Sequence, residues 1–177
     1  ATGMCWDGEA LWLGFYQEPV LVRIDREGNE LTTIRYDNND IQGAFGVAYD
    51  GENLWIAPTN NPQIIQITIE GEVLRRVSTD NVAGSDWPCI VYVDGHNDGH
   101  MWLLGSNEQT YSQLNIEGDR AEVIQDAFLD VPSLYGISHD GTNLWIHSHN
   151  GQHFVIDDGI REPKWITADP EEGVIPA

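Results

Sequence analysis

The sequence predicts an all-β protein, a closed four-bladed β-propeller with four antiparallel strands per blade. Three observations predict it: a tryptophan that returns at a near-constant interval, two turns that return in register with it, and no segment that sustains a 3.6-residue apolar period. The interval is set by Trp12, Trp55, Trp102 and Trp145, which lie 43, 47 and 43 residues apart. Each follows an Asp-Gly pair: Trp6-Asp7-Gly8 precedes Leu11-Trp12-Leu13, and Tyr49-Asp50-Gly51 precedes Leu54-Trp55-Ile56. In the same way Val93-Asp94-Gly95 precedes Met101-Trp102-Leu103, and His139-Asp140-Gly141 precedes Leu144-Trp145-Ile146. Asp-Gly between two apolar runs is a hairpin signal, because both residues tolerate positive φ.

The second turn is Glu27-Gly28, Glu70-Gly71 and Glu117-Gly118, each glycine 16 residues after its tryptophan, with Asp158-Gly159 two residues earlier in register. Repeat two shows the strands best: 46–49, 54–58, 63–69 with alternating Ile65, Ile67 and Ile69, and 73–78. Repeats of approximately 1–44, 45–88, 89–134 and 135–177 fill the chain as one domain. Counting from Trp145 through the C-terminus and on to Trp12 gives 44 positions, so four whole repeats are expected in a ring closed by packing. The longer third interval is assigned to three extra residues within 94–100. Equivalent tryptophans read as packing between adjacent sheets. Gly3, Gly46 and Gly136, four residues before their Asp, read as close approach of the innermost strands, a series that Ile90 breaks.

At these residues the chain resembles the propeller repeats that include the NHL-type repeats, streptogramin lyase, the SMP-30 lactonases and the plant-type glutaminyl cyclases. The resemblance is carried by Gly46-Val47-Ala48-Tyr49-Asp50-Gly51 with Asn53-Leu54-Trp55-Ile56, repeated as Gly136-Ile137-Ser138-His139-Asp140-Gly141 with Asn143-Leu144-Trp145-Ile146. It spans the chain and implies propeller architecture; it transfers no catalytic residue.

Twenty-nine acidic residues face eight basic ones, for a formal charge of −21. At low ionic strength such a surface repels itself, whereas in molar salt the screening length shrinks to about 3 Å. A salt-adapted, halophilic origin is the expectation. Nucleic acid is excluded as a partner because the scattered arginines form no basic stripe, and anionic membranes are disfavoured likewise. No apolar run approaches the roughly 20 residues of a membrane-spanning helix, so no membrane insertion is expected. An extracellular or cell-surface location, and a monomer in preference to a dimer, complete the expectations. Cys5 and Cys89 are too few for a disulfide framework, and no zinc spacing is present.

Loops that vary between repeats gather at one face, where recognition residues usually sit. They offer Tyr16, Glu18, Asn60, Trp87, Asn107, Glu108, Tyr111 and His149 for a polar small molecule, a glycan or a protein, although polar loops also serve as a plain solvated rim. His147, His149 and His153 are the candidate metal ligands, since alternate strand positions share a face and imidazoles suit a divalent ion. A divalent cation or an ion held in the channel is the possible cofactor. The acidic runs at 37–40 and 94–98 offer oxygen ligands, but no Glu stands where a calcium loop beginning at Asp94 needs one, and turn formation is the alternative. The expected function is a ligand- or protein-binding module acting through the variable face. The alternative is an enzyme of lyase, lactonase or glutaminyl cyclase type, working from carboxylates and histidines on that face.

Overall fold

A computed structural model describes residues 1–37, 39–59, 61–83, 88–96, 99–105, 109–131 and 133–158, which form strands and no helix. Repeat one holds β1 (Gly3–Trp6), β2 (Leu11–Gly14), β3 (Val20–Ile24) and β4 (Glu30–Arg35). Repeat two holds β5 (Ala44–Tyr49), β6 (Leu54–Pro58), β7 (Gln63–Ile67) and β8 (Val73–Ser78). Repeat three holds β9 (Pro88–Tyr92), β10 (Met101–Gly105), β11 (Thr110–Glu117) and β12 (Arg120–Phe128), and repeat four β13 (Leu134–His139), β14 (Asn143–Ser148) and β15 (His153–Asp157). Within each repeat consecutive strands pair antiparallel. One parallel bridge, Arg120 to Ser78, joins the outer strands β12 and β8 of repeats three and two.

Glycine permits both predicted turns. Gly8, Gly51, Gly95 and Gly141 adopt φ of 90–100° in the first hairpins, and Gly28, Gly71 and Gly118 are also positive in the second. The sheets then stack through side chains that alternate along each strand. Val47, Leu54, Ile56, Ile65 and Ile67 of repeat two pack on Trp12, Leu21 and Ile34 of repeat one. Ile90, Met101, Leu103 and Leu114 of repeat three meet Ala48, Trp55, Ala57 and Ile64 in the same way. The innermost strands follow one another as β1, β5, β9 and β13. Glycine is required where they approach: a Cβ on Gly3 would lie 2.6 Å from the Phe45 carbonyl oxygen, and one on Gly46 2.7 Å from that of Pro88.

One expectation is corrected. The third hairpin is longer by four residues, not three, because Tyr49 pairs with Leu54 but Tyr92 with Met101. The register therefore places Cys89, not Ile90, at the glycine position, and its Sγ lies 3.1 Å from the Tyr135 carbonyl oxygen. Among the described residues, no packing comparable to that of β1 on β5 joins β13 to β1. Trp12, Trp55 and Trp102 are 1–2% exposed, whereas Trp145 is 42% exposed.

Candidate functional site

Each antiparallel repeat has two ends. At one end Trp6 pairs with Leu11 and the tight Asp-Gly turns lie; at the other Gly3 pairs with Gly14 and the longer loops begin.

At the tight-turn end a single carboxylate organises each hairpin. Asp50 Oδ1 accepts the amides of Glu52 and Asn53 at 3.0 and 2.7 Å, and its Oδ2 accepts the Trp55 indole at 2.8 Å and Gln66 at 2.8 Å. Asp7 repeats this with Trp12 at 2.9 Å and Arg23 at 2.7 Å, and Asp140 with Trp145 at 2.6 Å. Burial raises the Asp7 pKa, but the bonds from Arg23, the Ala10 and Glu9 amides and Trp12 outweigh it, leaving a value of about 2. The Trp145 indole and the Asn143 and Thr142 amides likewise lower Asp140 to about 2.

Repeat three departs. Val93 occupies the aspartate's place in the backbone, bonding through its amide to the His100 carbonyl, and Asp94 is exposed. The Trp102 indole donates instead to His96 Nδ1 at 3.1 Å. His96 Nε2 then lies 3.1 Å from Asp158 Oδ2, and His139 Nε2 of repeat four lies 3.0 Å from the same oxygen. All three side chains are deeply buried, at 4–8% exposure. Desolvation lowers the His96 pKa, against the opposing pull of Asp158.

These are the residues among those described that converge as a metal-ligand set, their ligand atoms lying within 4.8 Å of one another. Their hydrogen bonds oppose metal binding. His96 Nδ1 accepts from Trp102 and His139 Nδ1 accepts from the Gly141 amide, so each neutral ring carries its proton on Nε2 and donates it to Asp158. A metal held by the two Nε2 atoms needs lone pairs there. The group thus acts as a carboxylate held between two imidazole donors, tying repeat three to repeat four. A small cleft lined by Trp102, Tyr111, Gln125, Asp126 and Asp157 adjoins it.

The loop end carries a row of rings that crosses repeats. Tyr16 meets Phe45 edge-on with centroids 6.0 Å apart, Phe45 lies 6.3 Å from Tyr135, and Tyr135 lies 5.2 Å from His149. Phe45 is buried beneath, whereas Tyr135 and His149 are exposed. Two predicted residues, Tyr16 and His149, therefore come together through Phe45 and Tyr135, which sequence reasoning missed. Tyr111 sits apart, 6.4 Å from Trp102 on the face toward repeat four, and Glu18 is an exposed loop residue. Asn60, Trp87, Asn107 and Glu108 lie outside the described residues. His147 and His153 face each other across β14 and β15, with Nδ1 atoms 3.3 Å apart, but His149 turns to Tyr135 and the three do not converge. The Asp37 carboxylate accepts the Asn39 amide at 2.9 Å, and Arg76 pairs with Asp40 at 2.6 Å.

The missed histidines left a faint signal. His139 stands where repeats one and two have Trp6 and Tyr49, and the third hairpin alone carries extra residues. Nothing local pointed to Asp158.

No family model matches the chain, and neither does any curated protein. Solved propellers do match in structure. Glutaminyl cyclase of Myxococcus xanthus aligns over 88% of this chain and 65% of its own at 13% identity, with a TM-score of 0.69. Virginiamycin B lyase of Staphylococcus aureus aligns over 90% and 55% at 16% identity and 0.56. The Pan2 WD40 domain of Neurospora crassa aligns over 88% and 46% at 10% identity and 0.58. The chain therefore has the β-propeller fold and spans about half to two thirds of the length of these proteins.

Proposed function

We propose that the chain is a four-bladed propeller arc, adapted to high salt, that binds a polar ligand or protein at its loop end. The observation that carries this reading is the row Tyr16, Phe45, Tyr135 and His149, which lays exposed ring faces over a buried aromatic on a rigid sheet scaffold. Aromatic faces with polar edges suit sugars and peptides, because they offer contact area with little rotamer entropy to lose. Propellers of similar fold include both WD40 domains and enzymes.

A second reading, an enzyme of lyase, lactonase or glutaminyl cyclase type, is favoured by one observation, the convergence of His96, His139 and Asp158. The placement of their protons weighs against it: the imidazole hydrogens are already donated to Asp158, in a buried junction at the end away from the loops.

Glycan and peptide arrays probed in molar potassium chloride test the binding reading. Ligands retained by the wild type and lost by Tyr135→Ala and His149→Ala are the expected outcome. Ligands held equally by wild type and both variants, or no retained ligand at all, would sink it.

A further inference from the structure

The tryptophan clamp is built differently in repeats one and two. In repeat one the register puts Arg23 opposite Trp12, and its guanidinium bonds Asp7 directly at 2.7 Å, with Glu9 at 3.3 Å. That cation is neutralised within its own hairpin. In repeat two the register puts Gln66 opposite Trp55, so the Asp50 carboxylate receives a neutral amide in the same place. The arginine stands one strand farther out. Arg75 pairs with Gln66 across β7 and β8 and donates from Nε to Gln66 Oε1 at 2.9 Å. Gln66 therefore stands between the two charges, accepting from Arg75 on its oxygen and donating to Asp50 from its nitrogen.

This arrangement leaves Arg75 without a carboxylate partner among the described residues, in a chain with 29 acidic side chains. The guanidinium is nonetheless held in place: its Cζ lies 4.9 Å over the ring of the buried Trp55. The stack and the Nε bond fix the guanidinium plane and leave its terminal N–H groups as a preformed fork. Arg75 lines a cleft of about 150 Å³ between repeats two and three, two consecutive repeats in the middle of the chain. Repeat three lines it with Tyr92 and His100, whose rings stack at 5.2 Å and 17°, and with the apolar side chains of Met101, Leu114 and Ile116. Asp50 also borders the cleft, but its oxygens already accept four bonds from its own repeat, from the Glu52 and Asn53 amides, the Trp55 indole and Gln66.

We propose that this cleft binds a short-chain carboxylate, its two oxygens on the Arg75 fork and its hydrocarbon part against Met101, Leu114 and Ile116. A planar anion matches the guanidinium through two parallel N–H···O bonds, which a spherical ion cannot make. At about 150 Å³ the cleft is smaller than the roughly 300–1,000 Å³ of sites for drug-sized ligands, so the ligand is a small one. The chain's charge of −21 repels anions at long range, and binding therefore requires salt to screen that field. The site lies at the tight-turn end, opposite the loop-end aromatic row, and is independent of it.

NMR on the full chain, with potassium propionate exchanged stepwise for potassium chloride at constant high ionic strength, tests the site. The expected result is a saturating displacement of the Trp55 indole N–H and the His100 ring resonances, reached at lower concentration with propionate than with formate, which lacks the hydrocarbon part. Arg75→Gln is expected to lose the saturation, whereas Arg76→Gln, at the neighbouring position that pairs with Asp40, is expected to keep it. Asn115→Asp, an isosteric change that sets a new anion on the cleft from repeat three, is expected to weaken propionate by about threefold or more. A linear drift alike in wild type and Arg75→Gln, or wild-type saturation in a folded Arg75→Gln or Asn115→Asp, would overturn the proposal. The two variants lie in different repeats, so misfolding of one leaves the other to decide.

Discussion

Trp102 donates its indole N–H to His96 Nδ1, whereas Trp12, Trp55 and Trp145 donate theirs to the carboxylates of Asp7, Asp50 and Asp140. That exchange of acceptor places an imidazole between the Trp102 indole and the Asp158 carboxylate, where the other tryptophans meet a carboxylate directly. It also gives the junction a different response to acid.

His96 is held below its ordinary pKa of 6.5 by desolvation, so the folded chain prefers the ring neutral. As pH falls through 6.5, the unfolded chain binds this proton more readily than the folded one. The stability contributed by neutral His96 is therefore full above 6.5 and declines below it. Urea unfolding at constant high salt is expected to show a midpoint that falls as pH drops below 6.5, with that slope reduced in His96→Gln. A slope that is the same in the variant would contradict the assignment.

Asp7 and Asp140 respond lower on the scale. Each is held at about 2, below the ordinary 3.8, so each stabilises the fold above that value and loses its contribution as pH falls through about 2. Carboxylate resonances followed by NMR are expected to titrate near 2 for both. Values at or above 3.8 would show that the indole and turn-amide bonds do not form in solution.

The four tryptophans are alike in sequence and unlike in burial. Trp55→Ala removes a fully covered ring and is expected to cost about 3–5 kcal/mol, with Trp12→Ala similar. Trp145→Ala, at a ring 42% exposed, is expected to cost about 1 kcal/mol or less. Equal losses at Trp55 and Trp145 would mean that repeat four is covered within the single chain.

The glycines separate in the same direction. Gly46→Ala forces a Cβ to within 2.7 Å of the Pro88 carbonyl oxygen and is expected to destabilise by about 1–3 kcal/mol, through a shift of the innermost strands. Gly136→Ala, whose Cβ would meet only the His147 Cβ at 3.7 Å, is expected to leave the midpoint unchanged or slightly raised. Paired denaturation curves in dilute buffer check both.

Much of this fold was legible because it is repeated. The Asp-Gly and Glu-Gly turns fix the hairpins locally, and alternation in stretches such as Ile65 and Ile67 fixes which side is buried, so the strands of repeat two follow from short-range physics. The clamp from Asp50 to Trp55 was half legible: the spacing was visible, but it was read as a turn and a packing residue rather than as one hydrogen-bonded unit. The third repeat misled because extra hairpin residues moved the register by one, putting Cys89 where Ile90 was expected. Closure is not legible from the spacing, because equal spacing reports a period along the chain, whereas the angle between sheets is set by three-dimensional packing. The contact of His96 and His139 with Asp158 joins residues up to 62 positions apart, and no local pattern encodes it. At the loop end Tyr16 and His149 were accessible from turn position alone, while Phe45 and Tyr135 were hidden at strand starts that read as core.

The central claim is that recognition belongs to the loop-end aromatic row and that the buried histidine–aspartate junction is a structural tie. Calorimetric titration of an array-identified ligand in molar salt, against Tyr135→Ala and against His139→Gln, tests it most directly. Tyr135→Ala is expected to weaken binding by about tenfold or more, the equivalent of about 1.4 kcal/mol, while His139→Gln keeps the wild-type affinity and loses thermal stability. Undiminished binding by Tyr135→Ala together with its loss in a folded His139→Gln would contradict the account.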